Sequence, residues 1–302
     1  MKTILITGAS GLIGKHLTSL LISKGYRVIH LSRKASTKDG IETFVWDVSR
    51  KTIDHTAVYQ ADYIIHLAGA AIADRKWTEE RKKEIIDSRT ESTRLLFESI
   101  KRNNKKLLAF ISASAIGYYG AVTSDHTFIE EDPAENDFMG TCCKLWEDST
   151  EAIKLMDIRT VKIRVGVVLA GDGGALTKML PAVKAGLGSA LGSGKQFIPW
   201  IHIDDICNIF LKAVEDKTMS GPYNGVAPAP VTSNELNKSI AKVLHKPYFF
   251  PNVPKFVLKF LFGDRSIIFL EGSRVSSEKI EKAGFTFRYK KVEDALKDLL
   301  VG

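Results

Sequence analysis

The chain reads as an α/β protein built on a doubly wound parallel sheet, followed by a smaller, mainly helical C-terminal lobe. Three observations lead there. A β-branched, apolar run at 2–7 leads into Gly8, Gly11 and Gly14, then into an apolar-periodic stretch with Leu17, Leu20 and Leu21 on one face. Strand-like and helix-like segments alternate through the first two-thirds of the chain, the pattern of right-handed βαβ units. The run 63–68 is almost continuously apolar, as a parallel strand covered on both faces must be.

Taken in order, strands are expected at 2–7, 26–31, 43–46, 62–68, 107–113 and 160–168, with helices at 12–24, 78–102, 140–156 and 204–215. The helix at 78 opens on Thr78 with Glu79 and Glu80 behind it. It closes among Lys101, Arg102, Lys105 and Lys106, which suits the helix dipole. Residues 171–194 are glycine-rich and poor in charge, so they read as a loop-rich excursion around one short helix. Ala227-Pro228-Ala229-Pro230 is a turn or linker. Short helices follow at 233–244, from Pro254, at 277–283 and at 292–300.

Net charge is +8. The densest basic group, between Arg75 and Lys83, is interleaved with Glu79 and Glu80. It reads as a solvated helix face, and no nucleic-acid partner is expected. No apolar stretch approaches the ~20 residues of a membrane span, so no membrane partner is expected either. The first apolar run is too short for a signal peptide, which makes the cytoplasm the expected location. Cys142, Cys143 and Cys207 show no metal-ligand spacing and no disulfide framework. They read as buried or helix-borne thiols, and no metal is expected.

A strand, a glycine turn and a helix N-terminus in that order aim backbone N–H groups and a positive helix end at one point. A pyrophosphate is the usual occupant, and the arrangement is that of a Rossmann fold. Gly8 makes the sharp turn, Gly11 lets phosphates approach, and Gly14 lets helix and strand pack. Ser10, Leu12 and Ile13 complete the turn. A phosphate-loop NTPase is excluded by the glycine spacing and by His16 after Lys15. The second strand ends in Ser32-Arg33-Lys34 with no acid before Asp39. Arg33 suits the extra phosphate of NADP(H), where an acid would select NAD. Asp47, after the third strand, is placed for the adenine edge. Leu67, Ala68 and Gly69 end the fourth strand, where small residues let the chain pass the cofactor.

Gly8, Gly11 and Gly14, with Leu67-Ala68-Gly69 and Ser112-Ala113-Ser114, resemble the extended short-chain dehydrogenase/reductases. Several further stretches resemble one atypical, epimerase-like branch often labelled nucleoside-diphosphate-sugar epimerase. They are Arg75-Lys76-Trp77-Thr78, Asp87-Ser88-Arg89, the run 114–120, Trp146-Glu147, the run 192–196 and the run 200–205. The run from Val253-Pro254 to Ala283-Gly284-Phe285 is similar to that branch's C-terminal domain of unknown function. The change in composition after Val226, with the Ala227–Pro230 linker, implies division at 227. Residues 1–227 are the cofactor domain, with 171–201 an excursion to the substrate side, and 228–302 are the substrate lobe. The two substrate-side segments are expected to pack together, with Phe256, Leu258, Phe260 and Leu261 buried against the cofactor domain.

The resemblance also implies a Tyr-x-x-x-Lys pair, and this chain lacks it: none of its tyrosines has Lys four residues on. Lys144 is the stand-in for the lysine, with Gly140 where the tyrosine belongs. One register over, Cys143 and Met139 take those places. Ser114 is expected to hold the substrate oxygen, with Ser112 behind it, and Tyr118 or a water to carry the proton. Tyr119, Trp200 and His202 are expected on the substrate side. Arg164, Lys195 and Arg274 are candidate partners for an anionic substrate. The expected activity is that of an NADP(H)-dependent oxidoreductase or epimerase on a small-molecule carbonyl or alcohol, from a monomer or homodimer. The alternative is an NADP(H)-binding regulatory or scaffold protein with little turnover.

Overall fold

β1 (Thr3–Thr7) is five buried residues whose branched side chains suit a strand covered on both faces. Its alternation sorts the core. Ile4 and Ile6 join a cluster with Leu17, Leu21, Ile163 and Phe210 on one face of the sheet. Leu5 joins Ile29, Ile64, Leu96 and Phe110 on the other. After β1 come α1 (Leu12–Ser23), β2 (Arg27–Ser32), β3 (Ile41–Asp47), β4 (Tyr63–His66), α2 (Glu79–Arg102) and β5 (Ala109–Ala115). Then come α3 (Phe138–Ser149), β6 (Thr160–Val165), α4 (Gly174–Lys184), α5 (Ile203–Glu215) and β7 (Gly221–Gly225). The computed structural model describes residues 1–38 and 40–301, so Asp39 lies outside the described residues.

The main sheet runs β7-β6-β5-β4-β1-β2-β3 with parallel neighbours, and Ser36–Lys38 pairs antiparallel with β3 at the edge. The chain winds outward from β1 through β2 to β3, then returns to β4 on the other side. That reversal puts the topological switch point at the C-terminal ends of β1 and β4, where open α/β sheets take ligands. Registers Thr7↔His66, His66↔Ser112 and Ser114↔Arg164 bring four strand ends to one rim.

The helical lobe contains α6 (Ser233–Val243), closed by a Thr232–Glu235 capping box, α7 (Lys255–Phe262) and α8 (Val292–Leu300). The excursion and the lobe pack together as expected. Phe197–Ile198 pairs with Val231–Thr232, and Leu176, Val183, Trp200, Leu236, Ile240 and Leu296 share one core. The lobe is also tied to the cofactor fold: Arg274–Val275 pairs with Thr127–Phe128, and buried Asp205 accepts the backbone N–H groups of Arg288 and Tyr289.

Four expectations change. The strand at 160–168 breaks at Gly166, where a Cβ would lie 2.4 Å from the Pro199 carbonyl oxygen. It restarts as Val167–Ala170, paired with Trp200–His202. The helix at 140–156 is two helices, α3 and Glu151–Lys154. β7, which carries Gly221 and Pro222, had no strand signal and forms as an edge strand. Finally, α7 buries only Leu258. Phe256 and Phe260 are 73% and 87% exposed because they lie roughly opposite Leu258 on a single-sided helix, and Leu261 is exposed with them.

Candidate cofactor turn and substrate cleft

The glycine turn is sterically committed. Gly8 has φ +72°, and a Cβ there would sit 2.8 Å from the Ala68 nitrogen. A Cβ on Gly14 would sit 2.5 Å from the Gly8 carbonyl oxygen. Gly11 is the N-cap of α1, with no side chain capping the helix and no acid in its first turn. Ser10 and Gly11 are exposed, while Leu12 and Ile13 are half-buried in that first turn. An uncapped helix start of this kind has backbone N–H groups to offer and favours an anion. The residues therefore fit a dinucleotide pyrophosphate.

The turn is braced from below by a polar chain the sequence reading missed. Thr7 Oγ1 accepts the N–H groups of Leu67 and Ala68, both at 3.2 Å, and lies 2.7 Å from His66 Nδ1. With its lone pairs so engaged, Thr7 donates to Nδ1, and Nε2–H donates to Ser92 Oγ at 3.0 Å. His66 is fully buried, and burial pushes its pKa down to about 3, so the imidazole is neutral. Beside it Arg89 donates to the carbonyls of Ile85 and Ala70, and its guanidinium lies over Trp146. Burial lowers its pKa, and a Cβ on neighbouring Gly69 would come within 3.1 Å of it.

Arg33 is exposed at the end of β2. The Asp47 carboxylate accepts from Ser49 Oγ at 2.6 Å and from the Arg50 N–H at 3.1 Å, so it closes its own turn at the end of β3.

Ser114 is 3% exposed and donates to Glu147 Oε1 at 2.7 Å. Glu147 in turn receives Arg164 through two bonds, Nε at 2.8 Å and Nη2 at 3.0 Å. Arg164 Nη1 donates to Tyr119 Oη, and Tyr119 donates to Asn224. Burial alone would lower the Arg164 pKa, but the Glu147 hydrogen bonds and charge outweigh it and raise it. Arg164 is therefore a structural cation here, not a partner left free for a substrate anion. Its guanidinium also lies 3.5 Å from the ring centroid of half-buried Tyr118.

α3 decides which of its residues face the strand ends. A Cβ on Gly140 would lie 2.1 Å from the Glu135 carbonyl oxygen, so this position packs on backbone and has no room for a side chain. Lys144 points away, exposed and paired with Asp148 at 2.5 Å, so the structure does not bring it to Ser114. The inward pair, one turn apart, is Met139 and Cys143, both beside Gly117. Burial, then Cys142, raises the Cys143 pKa. Cys207 is likewise buried, as expected for all three thiols.

Three further expectations are corrected. Tyr119 is 2% exposed, its hydroxyl is spent on Asn224, and burial raises its pKa; it is core, not a substrate wall. Trp200 is fully buried, and its Nε1–H donates to the Ala229 carbonyl. His202 is the N-cap of α5: its Nδ1 accepts from Asp204 N–H at 3.0 Å while its ring packs on Tyr289 at 3.9 Å. Both follow the excursion in sequence, which points to the substrate side, but a short strand takes them into the lobe core.

A cleft of about 520 Å³ lies between the cofactor fold and the lobe. Trp77, Phe138 and Met139 line one side, and Lys259, Ile267 and Leu270 the other. Met139 thus links the cleft to Gly117 and the end of β5. Among the described residues, no group of His, Cys, Asp and Glu is placed to hold a metal ion.

The NAD dependent epimerase/dehydratase family model matches residues 4–224, and a domain of unknown function, DUF1731, matches residues 253–299. The chain is 37% identical to epimerase family protein YfhF of Bacillus subtilis over 98% of its length and 97% of that protein's. It is similar to the crystal structure of human epimerase family protein SDR39U1 with NADPH, at TM-score 0.87 and 32% identity, with 98% of each chain covered. A nucleoside-diphosphate sugar epimerase from Corynebacterium glutamicum matches at TM-score 0.78 and 31% identity, over 99% of this chain and 58% of that one. UDP-glucose 4-epimerase of Thermotoga maritima, 19% identical at TM-score 0.77, shares the fold.

Proposed function

The chain belongs to the NAD dependent epimerase/dehydratase family, and on that premise we propose that it binds NADP(H) and acts on a carbonyl or alcohol held in the cleft. The observation that carries the reading is the glycine turn, built so closely that Cβ atoms at Gly8 and Gly14 would collide with backbone. NADPH in the human relative's crystal structure supports it, as does Arg33 at the end of β2. When bound, the nicotinamide supplies hydride transfer.

The chain's own residues supply the rest. The α1 N-terminus holds the pyrophosphate and Arg33 the 2′-phosphate. Ser114, its proton committed to Glu147, offers lone pairs and so accepts from a substrate O–H. Tyr118 is the proton carrier, since Met139 has no exchangeable proton and Cys143 is buried beside Gly117. Met139, Trp77 and Phe138 give the cleft an apolar wall, and charged residues including Lys82, Asp137 and Lys259 share its lining.

The test is turnover on a panel of carbonyl compounds, read from reduced-nicotinamide absorbance, with product analysis for epimerisation, which shows no net change. Tyr118→Phe should lower turnover by about 10²-fold or more with NADPH affinity unchanged, and Lys144→Ala should leave both intact. A Tyr118→Phe protein that turns over normally refutes the assignment. A second reading, an NADP(H)-binding protein with little turnover, is favoured by the inward Met139 and Cys143. It is selected if NADPH binds and no compound is converted.

A further inference from the structure

The lobe carries a surface that the proposed chemistry does not use. Phe249 and Phe256 are each 73% exposed, Phe260 87%, Leu187 55% and Leu261 54%. Phe249 and Phe250 stack on each other with ring centroids 4.6 Å apart. These residues come from two segments that touch: Gly186 abuts Pro247, Gly188 abuts Tyr248, and Leu191 bridges to Val253. Single exposed apolar residues are ordinary, but a cluster drawn from adjoining segments marks a binding surface.

The charge along the segments that form it is biased to one sign, with Asp137, Asp264 and Glu271 beside Lys255 and Lys259 only on the cleft side. Residues 236–263 contain Lys238, Lys242, Lys246, Lys255 and Lys259 and no Asp or Glu. Residues 173–203 contain Lys178, Lys184 and Lys195, again with no Asp or Glu. All eight lysines are exposed, and of them only Lys255 is ion-paired among the described residues, with Glu271. The rest of the chain interleaves its charges: α2, for example, pairs Lys82 with Glu79, Lys83 with Asp87 and Arg94 with Glu91. On α7 the lysines and phenylalanines sit together. Lys255 and Lys259 are one turn apart beside Phe256 and Phe260, all exposed, while Leu258 anchors the opposite side.

We propose that this face, formed by α7, the Phe249–Phe250 corner and the Leu187 loop, docks the protein on an anionic lipid surface. Clustered aromatic and leucine side chains with a fringe of lysines match the apolar–headgroup boundary of a bilayer bearing negative lipids. An acidic polypeptide would satisfy the lysines but gives the protruding phenylalanines no apolar environment. A second copy of the chain would set lysines against lysines. The association is peripheral, since among the described residues no helix is long and apolar enough to cross a membrane. The cleft lies beside this face, because Lys255 and Lys259 line its mouth.

The experiment is co-sedimentation of the full chain, with NADPH present, on vesicles of phosphatidylcholine alone and of phosphatidylcholine with phosphatidylglycerol. The expected result is binding to the anionic vesicles at least tenfold tighter than to the neutral ones, and weakened by salt. Phe256→Ser with Phe260→Ser should weaken it by tenfold or more. So should Lys242→Glu with Lys246→Glu, a pair outside the cleft. Both variants alter exposed positions and should keep the wild-type melting temperature, which separates lost docking from lost folding. No preference for anionic vesicles, or binding indifferent to the phenylalanine changes, overturns the proposal. So does a concentration-dependent dimer that Phe256→Ser with Phe260→Ser dissolves while no vesicle is bound. Equal binding to polyglutamate regardless of the phenylalanines assigns the face to an acidic polypeptide and equally overturns it.

Discussion

Removing the Glu147 carboxylate should be the most damaging single change at the strand ends that leaves the backbone alone. Glu147 and Arg164 have side chains 7% and 2% exposed, and three hydrogen bonds converge on the one carboxylate. In Glu147→Ala the guanidinium is left buried without its counter-charge, which costs about 3–5 kcal/mol. The Ser114 hydroxyl loses its acceptor as well, for about 1 kcal/mol more. Against a typical domain stability of roughly 5–15 kcal/mol, this is a large share. Urea unfolding followed by circular dichroism should show the midpoint falling with little change in slope. Glu147→Leu combined with Arg164→Met removes both charges and should recover part of the loss, because no buried ion is left alone. It cannot recover everything, since Tyr119 and the Glu130 carbonyl still lose their Arg164 partner. A Glu147→Ala protein within 1 kcal/mol of wild type would refute the reasoning. So would a double variant whose loss equals the sum of the two single losses, since contacting charges should couple.

Acid should destabilise the fold through His66: its pKa is held near 3 in the folded state against about 6.5 unfolded, so its stabilisation is complete above pH 6.5 and is lost as pH falls towards 3. Its share of the slope approaches about 1.4 kcal/mol per pH unit in that window. His66→Gln should flatten urea midpoints between pH 6.5 and 4.5, while His30 and His202, also lowered by burial, keep some slope; an unchanged slope refutes the assignment. Gly14→Ala should weaken NADPH binding and lower the melting temperature more than Gly11→Ala, because its Cβ meets the Gly8 oxygen at 2.5 Å rather than 3.2 Å. Calorimetry on the two variants that ranks them the other way contradicts the packing argument.

Much of the fold was legible because its strongest signals are local. The β-branched run at 3–7, the glycine spacing and the Thr78 start of α2 each follow from backbone physics within a few residues, and each appears where the sequence puts it. The strand ends were harder. Ser114 was visible by position, but its partner Glu147 lies on another helix and Arg164 on another strand, a pairing only the sheet register creates. Lys144 was misread because composition cannot say which residue of a helix faces in; the close approach of Glu135 to Gly140 sets that rotation. Trp200 and His202 were misread because chain position near the excursion says nothing of which way a short strand turns. The carboxylate-free stretches 173–203 and 236–263 were legible all along, but only their contact in space makes them one surface.

The central claim is that the glycine turn and Arg33 make this an NADP(H) site, and the most direct measurement is a titration of NADPH and NADH against the wild type and Arg33→Ala. The wild type should bind NADPH more tightly by roughly one to two decades, the worth of a charge-assisted phosphate contact of about 1.5–3 kcal/mol. Arg33→Ala should lose that margin while keeping its NADH affinity. Equal affinities for the two cofactors in the wild type, or a preference that survives Arg33→Ala, would contradict it.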